Sequence, residues 1–572
     1  MKDIILKYAL KNALGFNGKV NKNVVLGMVL HDTPALKKDV PKVLKEIEKV
    51  ISEVEMLPLP KIQQQLQKLA PELLQEKKEE TIEGPLKPLP NAVKGKVVVR
   101  IAPSPSGPLH IGHAYGASLN YEYAKMYDGK FLLRIEDTNP ENIYAPAYEM
   151  IPEDTRWLSD NHVAQVVVQS SRLGLYYDYA EQLVQKGKAY VCKCDPDGWR
   201  EKKNQGIACP CRDLSVQENN LRYAKMFSEY AEGEAVLRLK TDIEHKNPAM
   251  RDFPIMRINE HIHPKTDKEH KVWPLMVFSV AIDDHELGVT HVLNGKDHAD
   301  NAKKEILIMD CFGWKHPEYK HWGRINFEGF TLSTTQTKHA IEQKVYSGWD
   351  DLRLPFLPAL RRRGYQPEAF RRFAIEIGLS LADKSVSQEE FWKMVNAFNR
   401  EVIEPKANRY FFVHNPVEIS IKGAPKKEAV LDLHPDYPKR GKRILSAEGK
   451  VFISQEDHKK LGKGKIHRLM DYCNFTLNGN SWNFVSENYE DYKNAENKGF
   501  IIHWLPVSKD LLQVEVLLDN GEKAVGVGEK GLEKVKENDI VQLERMYFAK
   551  LDHTEKKDRK EKNKVVFCYL HT

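Results

Sequence analysis

The chain has 572 residues, of which 41% are hydrophobic and 29% charged, with a formal net charge of +6. This composition is typical of a globular protein with several domains, and because no apolar run approaches about 18 residues, it argues against a membrane protein. The first residues carry no signal-peptide core, and four of the seven cysteines are clustered, which favours reduced thiols or a metal over disulfides. We therefore expect a cytoplasmic protein, with a charge that an RNA partner would suit.

The N-terminal segment is predicted to form a helical appendage. Apolar residues recur every three or four positions over 40–54, with Lys and Glu on the opposite face, as in an amphipathic helix. Residues 77–90 are rich in charge and then in proline, which is typical of a linker. We predict a first domain over 1–93, and the sequence leaves open whether it is structural or docks a protein or RNA.

Strands and helices alternate from residue 94 to about 330. Short buried strands are predicted at 97–101, 131–135 and 289–293, and helices at 144–157 and 171–185. This alternation predicts an α/β fold with a doubly wound parallel sheet.

The pattern then becomes helical, with a region predicted over 331–409, and β-rich over 410–572. Short strands are predicted at 410–414, 417–421, 511–518 and 541–548. Gly, Asn and Asp between such segments are typical of β-barrels.

Residues 110–113 read His-Ile-Gly-His and follow a strand and a Pro/Ser/Gly loop. A helix that begins after a tight loop directs backbone N–H groups and the positive end of its dipole at an anion. His110 and His113 share one helix face and can reach the same phosphate, while Gly112 leaves room for a flat base. Two histidines on a helix are by themselves a weak signal, so the surrounding residues decide the interpretation.

Those surroundings carry a family signature. Residues 100–114, Arg-Ile-Ala-Pro-Ser-Pro-Ser-Gly-Pro-Leu-His-Ile-Gly-His-Ala, resemble the first signature of class I aminoacyl-tRNA synthetases, in their glutamyl/glutaminyl branch. The resemblance extends over nearly all of 95–572. It implies a class I catalytic domain over 94–330 with an acceptor-end-binding insertion at about 190–285, a phosphate loop with stem-contact helices, and an anticodon-binding barrel region.

The resemblance also implies a reaction and its partners. Glutamate would attack ATP, with Mg²⁺ present, to give glutamyl-adenylate and pyrophosphate, and the glutamyl group would pass to the 3′-terminal adenosine of tRNA(Glu). Ser104 and the pair Ile135-Glu136 differ from the glutaminyl pattern, and the β-rich tail differs from the bacterial glutamyl pattern. Both differences favour the archaeal-type glutamyl branch, and they leave open whether tRNA(Gln) is also charged.

Residue roles follow from the same resemblance. His110 and His113 would donate hydrogen bonds to the phosphates, Glu136 would take the substrate's α-ammonium, and Arg100 would hold the amino acid, since a guanidinium can grip a carboxylate with two parallel bonds. Asp137 and Thr138 would cap the next helix or support the loop. The implied ATP-binding residues are Pro103, Ser104, Gly107, His110, Ile111, Gly112 and His113, with Ser104 also beside the amino acid.

Two positions depart from the family pattern. Asn294 stands where the family usually has an arginine that helps to hold the substrate carboxylate, so we expect weaker glutamate binding. Gln336 stands at the expected lysine of the phosphate loop, and either Lys338 reaches the phosphates or catalysis is slower. The two departures keep a non-catalytic tRNA-binding paralogue as an alternative.

Two further clusters have open interpretations. Cys192, Cys194, Cys209 and Cys211 form two pairs that suit a tetrahedral Zn²⁺ site, although free thiols are the alternative. The arginine run 361–363 is either a phosphate-contacting surface or a solvated face.

Overall fold

The computed structural model describes residues 1–16, 18–73, 85–555 and 564–572. Two compact units result, Met1–Glu83 and Gly84–Thr572. Residues 77–84 of the predicted linker lie outside the described residues. Within the described ranges, every helix is too short or too polar to cross a bilayer.

The first unit is a small helical domain with its own core. Its helices are α1 (Lys2–Gly15), α2 (Lys22–Asp32), α3 (Val40–Glu55) and α4 (Leu59–Leu69). Helix α3 buries Val43, Ile47, Val50 and Val54, which is the predicted stripe, because positions three and four apart fall on one helix face. Asp39 caps this helix by accepting the N–H of Lys42.

Parallel strands and helices alternate at the start of the second unit. Its first elements are β1 (Val98–Ile101), α5 (Ile111–Met126), β2 (Lys130–Ile135), α6 (Ala147–Leu158), β3 (Val163–Val168) and α7 (Leu173–Gln185). Strand β2 lies between β1 and β3, parallel to both. Helix α6 begins at Ala147, later than the predicted residue 144, and the N–H of Tyr144 donates to the carbonyl of Pro105.

An antiparallel insertion follows. It consists of β4 (Ala189–Cys192), α8 (Pro196–Gln205), α9 (Val216–Ser228), β5 (Val236–Leu239), β6 (Pro254–Ile258) and β7 (Val272–Pro274). The four strands pair in chain order.

The chain then returns to the parallel layer. The returning elements are α10 (Met276–Glu286), β8 (His291–Gly295), α11 (Ala299–Phe312) and β9 (Glu318–Trp322). Strand β8 pairs in parallel with β9, and the N–H of Thr290, just before β8, donates to the carbonyl of Val98 in β1. The strand order reverses between β1 and β8, which is where open α/β sheets form their binding crevice. The α/β prediction is confirmed.

Helices dominate the next region, as predicted. Its elements are β10 (Ile325–Glu328), α12 (Thr334–Glu342), α13 (Leu357–Arg363), α14 (Pro367–Ile377), β11 (Lys384–Ser387) and α15 (Gln388–Ile403). Strands β10 and β11 pair in parallel.

The C-terminal region is β-rich. Its elements are β12 (Asn408–Tyr410), β13 (Phe412–His414), β14 (Pro416–Lys422), β15 (Lys427–Asp432), β16 (Lys442–Ala447), β17 (Lys450–Ser454), α16 (Gln455–Lys460), β18 (Ile466–Leu469), β19 (Asn474–Asn478), β20 (Ser481–Ser486), α17 (Tyr489–Lys493), β21 (Lys498–Ile502), β22 (Leu505–Pro506), β23 (Leu512–Leu517), β24 (Lys523–Gly528), β25 (Ile540–Leu543), β26 (Tyr547–Glu555) and β27 (Lys564–His571).

Two seven-stranded sheets in this region nearly close on themselves. One runs β12-β25-β26-β27-β23-β24-β13 and the other β21-β18-β19-β20-β14-β17-β22. In each sheet the two outermost strands are neighbours in the chain, separated by Phe411 in the first and by His503 and Trp504 in the second. The chain therefore bridges the two edges, which protects them as in a barrel. The predicted strand 541–548 is two strands, because Arg545 turns the chain with a φ of 65°.

Candidate active site

A cleft of about 360 Å³ opens where β1 and β2 end and α5 begins. It lies beside β8, at the point where the strand order reverses. The predicted site residues that line it are Arg100, Pro103, Ser104, Gly112, His113, Glu136 and Asn294. The structure thus brings together predicted residues from four sequence segments.

His110 and His113 are adjacent at the N-terminus of α5. His110 is the N-cap residue, and its ring centroid lies 3.9 Å from that of His113. The Nδ1 atom of His110 accepts the N–H of Gly112 (3.0 Å), and Nδ1 of His113 accepts the N–H of His110 (3.4 Å). An Nδ1 that accepts leaves the proton of a neutral ring on Nε2, so both rings are Nε2–H donors.

Both imidazoles are held in the neutral form. Desolvation by the wall of the cleft lowers the pKa of His113 to about 4, although the residue stays accessible at the cleft surface. Burial, and then the neighbouring His113, lower the pKa of His110 well below its usual value. The pair therefore offers an anion hydrogen bonds rather than fixed positive charge.

The backbone of α5 contributes less to an anion site than its position implies. The N–H of Ile111 donates to the carbonyl of Pro355 (3.1 Å), and the N–H of Gly112 donates to His110. A Cβ at Gly112 would approach Cε1 of His110 to 2.9 Å, so glycine is needed there to seat the ring. At this helix end Gly112 and His113 line the cleft, whereas His110 is not among its lining residues.

A buried ion network forms the other side of the cleft. Asp284 in α10 receives two bonds from Arg100, at 3.1 and 2.9 Å, and one from Arg134 at 2.5 Å. Although burial alone would raise it, Arg100 and Arg134 hold the pKa of Asp284 below its usual value. Arg100 is therefore oriented by a carboxylate while it lines the cleft, a partner that the sequence analysis missed.

Glu136 and its neighbour Asp137 have different environments. Glu136 lines the cleft and accepts a bond from Arg134 (3.2 Å). Burial raises the pKa of Glu136, although Arg134 and Arg100 lower it in part. Asp137 turns inward and accepts bonds from the N–H and Oγ of Ser170 and from the Tyr148 hydroxyl. Asp137 thus supports the loop, and the next helix is not capped by it.

The two departures from the family pattern lie at different distances from the cleft. Asn294 lines it, and its Oδ1 is 2.6 Å from Nδ1 of His321. Gln336 is exposed in α12, whereas Lys338 in the same helix places Nζ 5.4 Å from the ring centre of Tyr144. Helix α12 reaches the Pro/Ser/Gly loop through Thr334, whose Oγ1 is 3.0 Å from Oγ of Ser106.

Some of the predicted ATP-binding residues do not line the cleft. Gly107 is buried, and a Cβ there would approach Cγ2 of Thr334 to 3.1 Å. The Ile111 side chain is also buried, so any contact of this residue with a ligand would involve its backbone.

The arginine run of α13 is bound to the protein's own groups. Arg361 contacts Asp154 (3.1 Å), Arg362 donates two bonds to Asp552, and Arg363 donates to Asp519 and to the carbonyl of Leu570. These side chains are half-buried or buried, so the run is not a solvated face, and the phosphate-contacting interpretation stays a prediction. The run joins the catalytic region to the C-terminal β region.

The four clustered cysteines converge at the end of β4. Their Sγ atoms all lie within 4.8 Å of one another. The Cys192–Cys209 and Cys194–Cys211 sulfur distances are 3.9 and 3.8 Å. Zn–S bonds of about 2.3 Å in a tetrahedron place sulfurs about 3.8 Å apart, so this donor set fits Zn²⁺.

Asp283 and Asp284 are the functional-site residues that sequence reasoning overlooked. The sequence does contain a pattern that indicates them, because two adjacent aspartates end an apolar run, Val-Phe-Ser-Val-Ala-Ile-Asp-Asp over 277–284. Aspartates are rarely buried unless they are paired. Asp283 accepts bonds from Gln169, Arg172 and Tyr176.

Comparison with known proteins agrees with the resemblance. The family model "tRNA synthetases class I (E and Q), catalytic domain" matches residues 96–405, and the corresponding anti-codon binding domain matches 407–495. A glutamate–tRNA ligase of Methanocaldococcus jannaschii is 44% identical and one of Pyrococcus furiosus 43% identical, each matching 100% of both chains. A solved glutamate tRNA ligase from Elizabethkingia meningosepticum, in complex with its amino acid, is 21% identical with a TM-score of 0.38, covering 55% of this chain and 72% of that one.

Proposed function

The chain belongs to the class I tRNA synthetases of the E and Q family, among the glutamate–tRNA ligases, and from this premise we propose how its cleft activates glutamate. The enzyme uses ATP and Mg²⁺ to join glutamate to tRNA. The observation that carries our residue assignment is the single cleft in which His113, Arg100 and Glu136 meet.

We propose that His110 and His113 bind the phosphates of ATP. Charge grows on the α-phosphate and on the departing pyrophosphate during adenylate formation, and preorganised donors stabilise it. Two neutral Nε2–H groups at the start of α5 supply such donors beside the positive end of the helix dipole. The loop residues Pro103, Ser104 and Gly107, with Ile111 and Gly112, would complete the nucleotide site.

Arg100 and Glu136 are proposed to hold the amino acid. Asp284 fixes the guanidinium of Arg100 through two bonds, so little side-chain freedom is lost when a substrate carboxylate binds. Glu136 would accept the α-ammonium, with Ser104 and Asn294 in the same cleft. This arrangement orients the α-carboxylate toward the phosphate-binding end.

Lys338 is proposed as the cation of the phosphate loop. It stands two residues beyond Gln336, and its helix contacts the Pro/Ser/Gly loop through Thr334. A closing movement of this loop would bring the ammonium to the phosphates, as lids do in other enzymes.

We propose that the cysteine cluster holds a structural Zn²⁺. All four ligands would be thiolates, and Arg222, which donates to Sγ of Cys211 at 3.5 Å, would offset part of their charge. The ion would stabilise the segment between β4 and β5 of the antiparallel insertion. It takes no part in the chemical step.

The finer assignments follow the same reasoning. We propose domains over 1–93, 94–330, 331–409 and 410–572, tRNA(Glu) as the nucleic-acid substrate, and the cytoplasm, where tRNA is charged for protein synthesis, as the location.

The decisive experiment is ATP–pyrophosphate exchange with glutamate in the presence of tRNA. We expect exchange with glutamate and none above background with glutamine. Absence of exchange with either amino acid would support the non-catalytic paralogue, and exchange with glutamine alone would support the glutaminyl alternative. His110→Ala should reduce the glutamate-dependent rate strongly if the phosphate role is correct.

A further inference from the structure

We propose that Asp154, acting with Arg361, is a positioning residue for His110; the proposal rests on the phosphate role assigned to that histidine above. Asp154 lies in α6 and is fully buried. Its Oδ2 accepts the N–H of Leu109 at 3.0 Å, and its Oδ1 lies 3.1 Å from Nη2 of Arg361. One carboxylate thereby joins the residue before His110 to helix α13.

The backbone on both sides of His110 is already clasped by the start of that helix. The N–H of Leu357 donates to the carbonyl of Leu109 (2.8 Å), and the N–H of Ile111 donates to the carbonyl of Pro355 (3.1 Å). His110 forms an isolated antiparallel bridge with Phe356, and the two rings meet edge to face, with centroids 5.8 Å apart. The position of His110 is thus set relative to residues 355–357.

Arg361 lies one turn beyond Leu357 in the same helix, so Asp154 closes the arrangement. It binds the segment before His110 through a backbone N–H, and it binds the helix that clasps this segment through a guanidinium. Without the carboxylate, the loop and α13 would lose this connection and keep the contacts at residues 355–357. The Leu109 N–H would then lose its partner in a buried place.

The burial of this carboxylate argues for a specific role. A buried acid is costly, and burial raises the pKa of Asp154 to about 7, although Arg361 and the Leu109 N–H lower it. Its neighbour Glu153 also pairs with Arg361, at 2.6 Å, but on the exposed surface. Only the buried member of the two contacts the loop that carries His110, which makes Glu153 the natural control.

Displacement of a catalytic donor by about 1 Å can cost up to about a hundredfold in rate, so a positioning residue should affect kcat more than substrate binding. We expect Asp154→Asn to lower kcat of glutamate-dependent exchange about tenfold. It should leave KM for glutamate and the melting temperature near those of the native enzyme. Asn keeps an oxygen for the Leu109 N–H, so Asp154→Ala should be slower still. Glu153→Gln should stay within about twofold of the native rate.

The test is a double-mutant cycle between Asp154 and His110. If Asp154 acts through His110, Asp154→Asn should change the rate less than about twofold in a His110→Ala background. Arg361→Lys, which keeps the charge but loses the planar fork, provides a second variant for the same cycle. An equal loss in both backgrounds, or native kcat in Asp154→Asn and Arg361→Lys, would overturn the proposal. If His110→Ala itself exchanges at the native rate, the phosphate role fails instead, so the two failures are distinct.

Discussion

At the scale of single residues, the signature histidines would, in our proposal, form an anion site from uncharged groups. Each ring uses Nδ1 to accept a backbone N–H, which directs its proton to Nε2. Preorganised donors of this kind bind more strongly as charge develops on the phosphates, which favours the transition state over the bound substrate.

The pKa of His113 provides a first prediction. Because the folded pKa is lowered to about 4, the ring should titrate far below a histidine of the unfolded chain, and folding stability that depends on its neutral form should fall as pH decreases from about 6.5 toward 4. NMR of ¹³C-labelled histidine, assigned with His113→Gln, measures the midpoint. A midpoint near 6.5 would contradict the inferred neutral donor. Addition of ATP should move the midpoint upward, since a phosphate favours the charged ring.

Asn294 provides a second prediction. Arginine at this position would add a cation to a cleft whose Arg100 is already paired with Asp284. We expect Asn294→Arg to lower the KM for glutamate about tenfold, equivalent to about 1.4 kcal/mol, despite loss of the bond to His321. Asn294→Gln, which lengthens the side chain without charge, should bring no such gain. An unchanged KM in the arginine variant would show that the departure does not weaken binding.

At the scale of elements, features that depend on local sequence could be predicted, whereas contacts between residues far apart in the chain could not. The spacing of His110 and His113, the stripe of α3 and the alternation of strands and helices follow from local geometry, so the sequence predicted them. Arg100 and Asp284 are 184 positions apart, and their pairing depends on how α10 packs against the sheet. The acidic partners of Arg361 and Arg362 come from other elements for the same reason. Tertiary packing decided these contacts, and no local pattern encodes them.

Helix α12 carries both candidate residues of the phosphate loop, Lys338 and Gln336, so their roles can be distinguished by substitution. Lys338→Ala should slow adenylate formation about tenfold or more, because a lost phosphate contact acts mainly on the transition state. Gln336→Ala is the matched control in the same helix and should remain within about twofold. Single-turnover adenylate formation measures both. Native rates in Lys338→Ala would exclude this lysine from the phosphate site.

The insertion depends, in our proposal, on its thiolate cluster. Purified enzyme should contain one zinc per chain, and a strong chelator should lower the melting temperature of the insertion and expose it to protease, because a structural metal contributes folding free energy directly. Cys209→Ser should have the same effect. Cys311→Ser is the control, since Cys311 is not part of the cluster and its thiol donates to the carbonyl of Leu307. Metal-free protein with unchanged melting would contradict the zinc site.

At the scale of the whole molecule, α13 connects the catalytic domain with the C-terminal β region. Its C-terminal arginines hold groups of β26, of β27 and of the turn after β23, while its first residues clasp the loop before His110. Arg362 lowers the pKa of Asp552 to about 2, so this ion pair should persist at neutral pH and weaken only as pH falls from about 4 toward 2.

Breaking this pair tests whether the C-terminal β region must be held in place for tRNA binding. If the two regions are loosely joined, a tRNA that contacts both loses part of its binding free energy in ordering them. We therefore expect Arg362→Gln and Asp552→Asn each to raise the KM for tRNA about threefold to tenfold. The KM for ATP at saturating tRNA should not change, because Arg362 does not contact the loop of His110. Arg372→Gln is the matched control, since Arg372 pairs with Glu401 between α14 and α15. A tRNA KM that stays native in both variants, or rises equally in Arg372→Gln, would show that α13 does not serve as this connection.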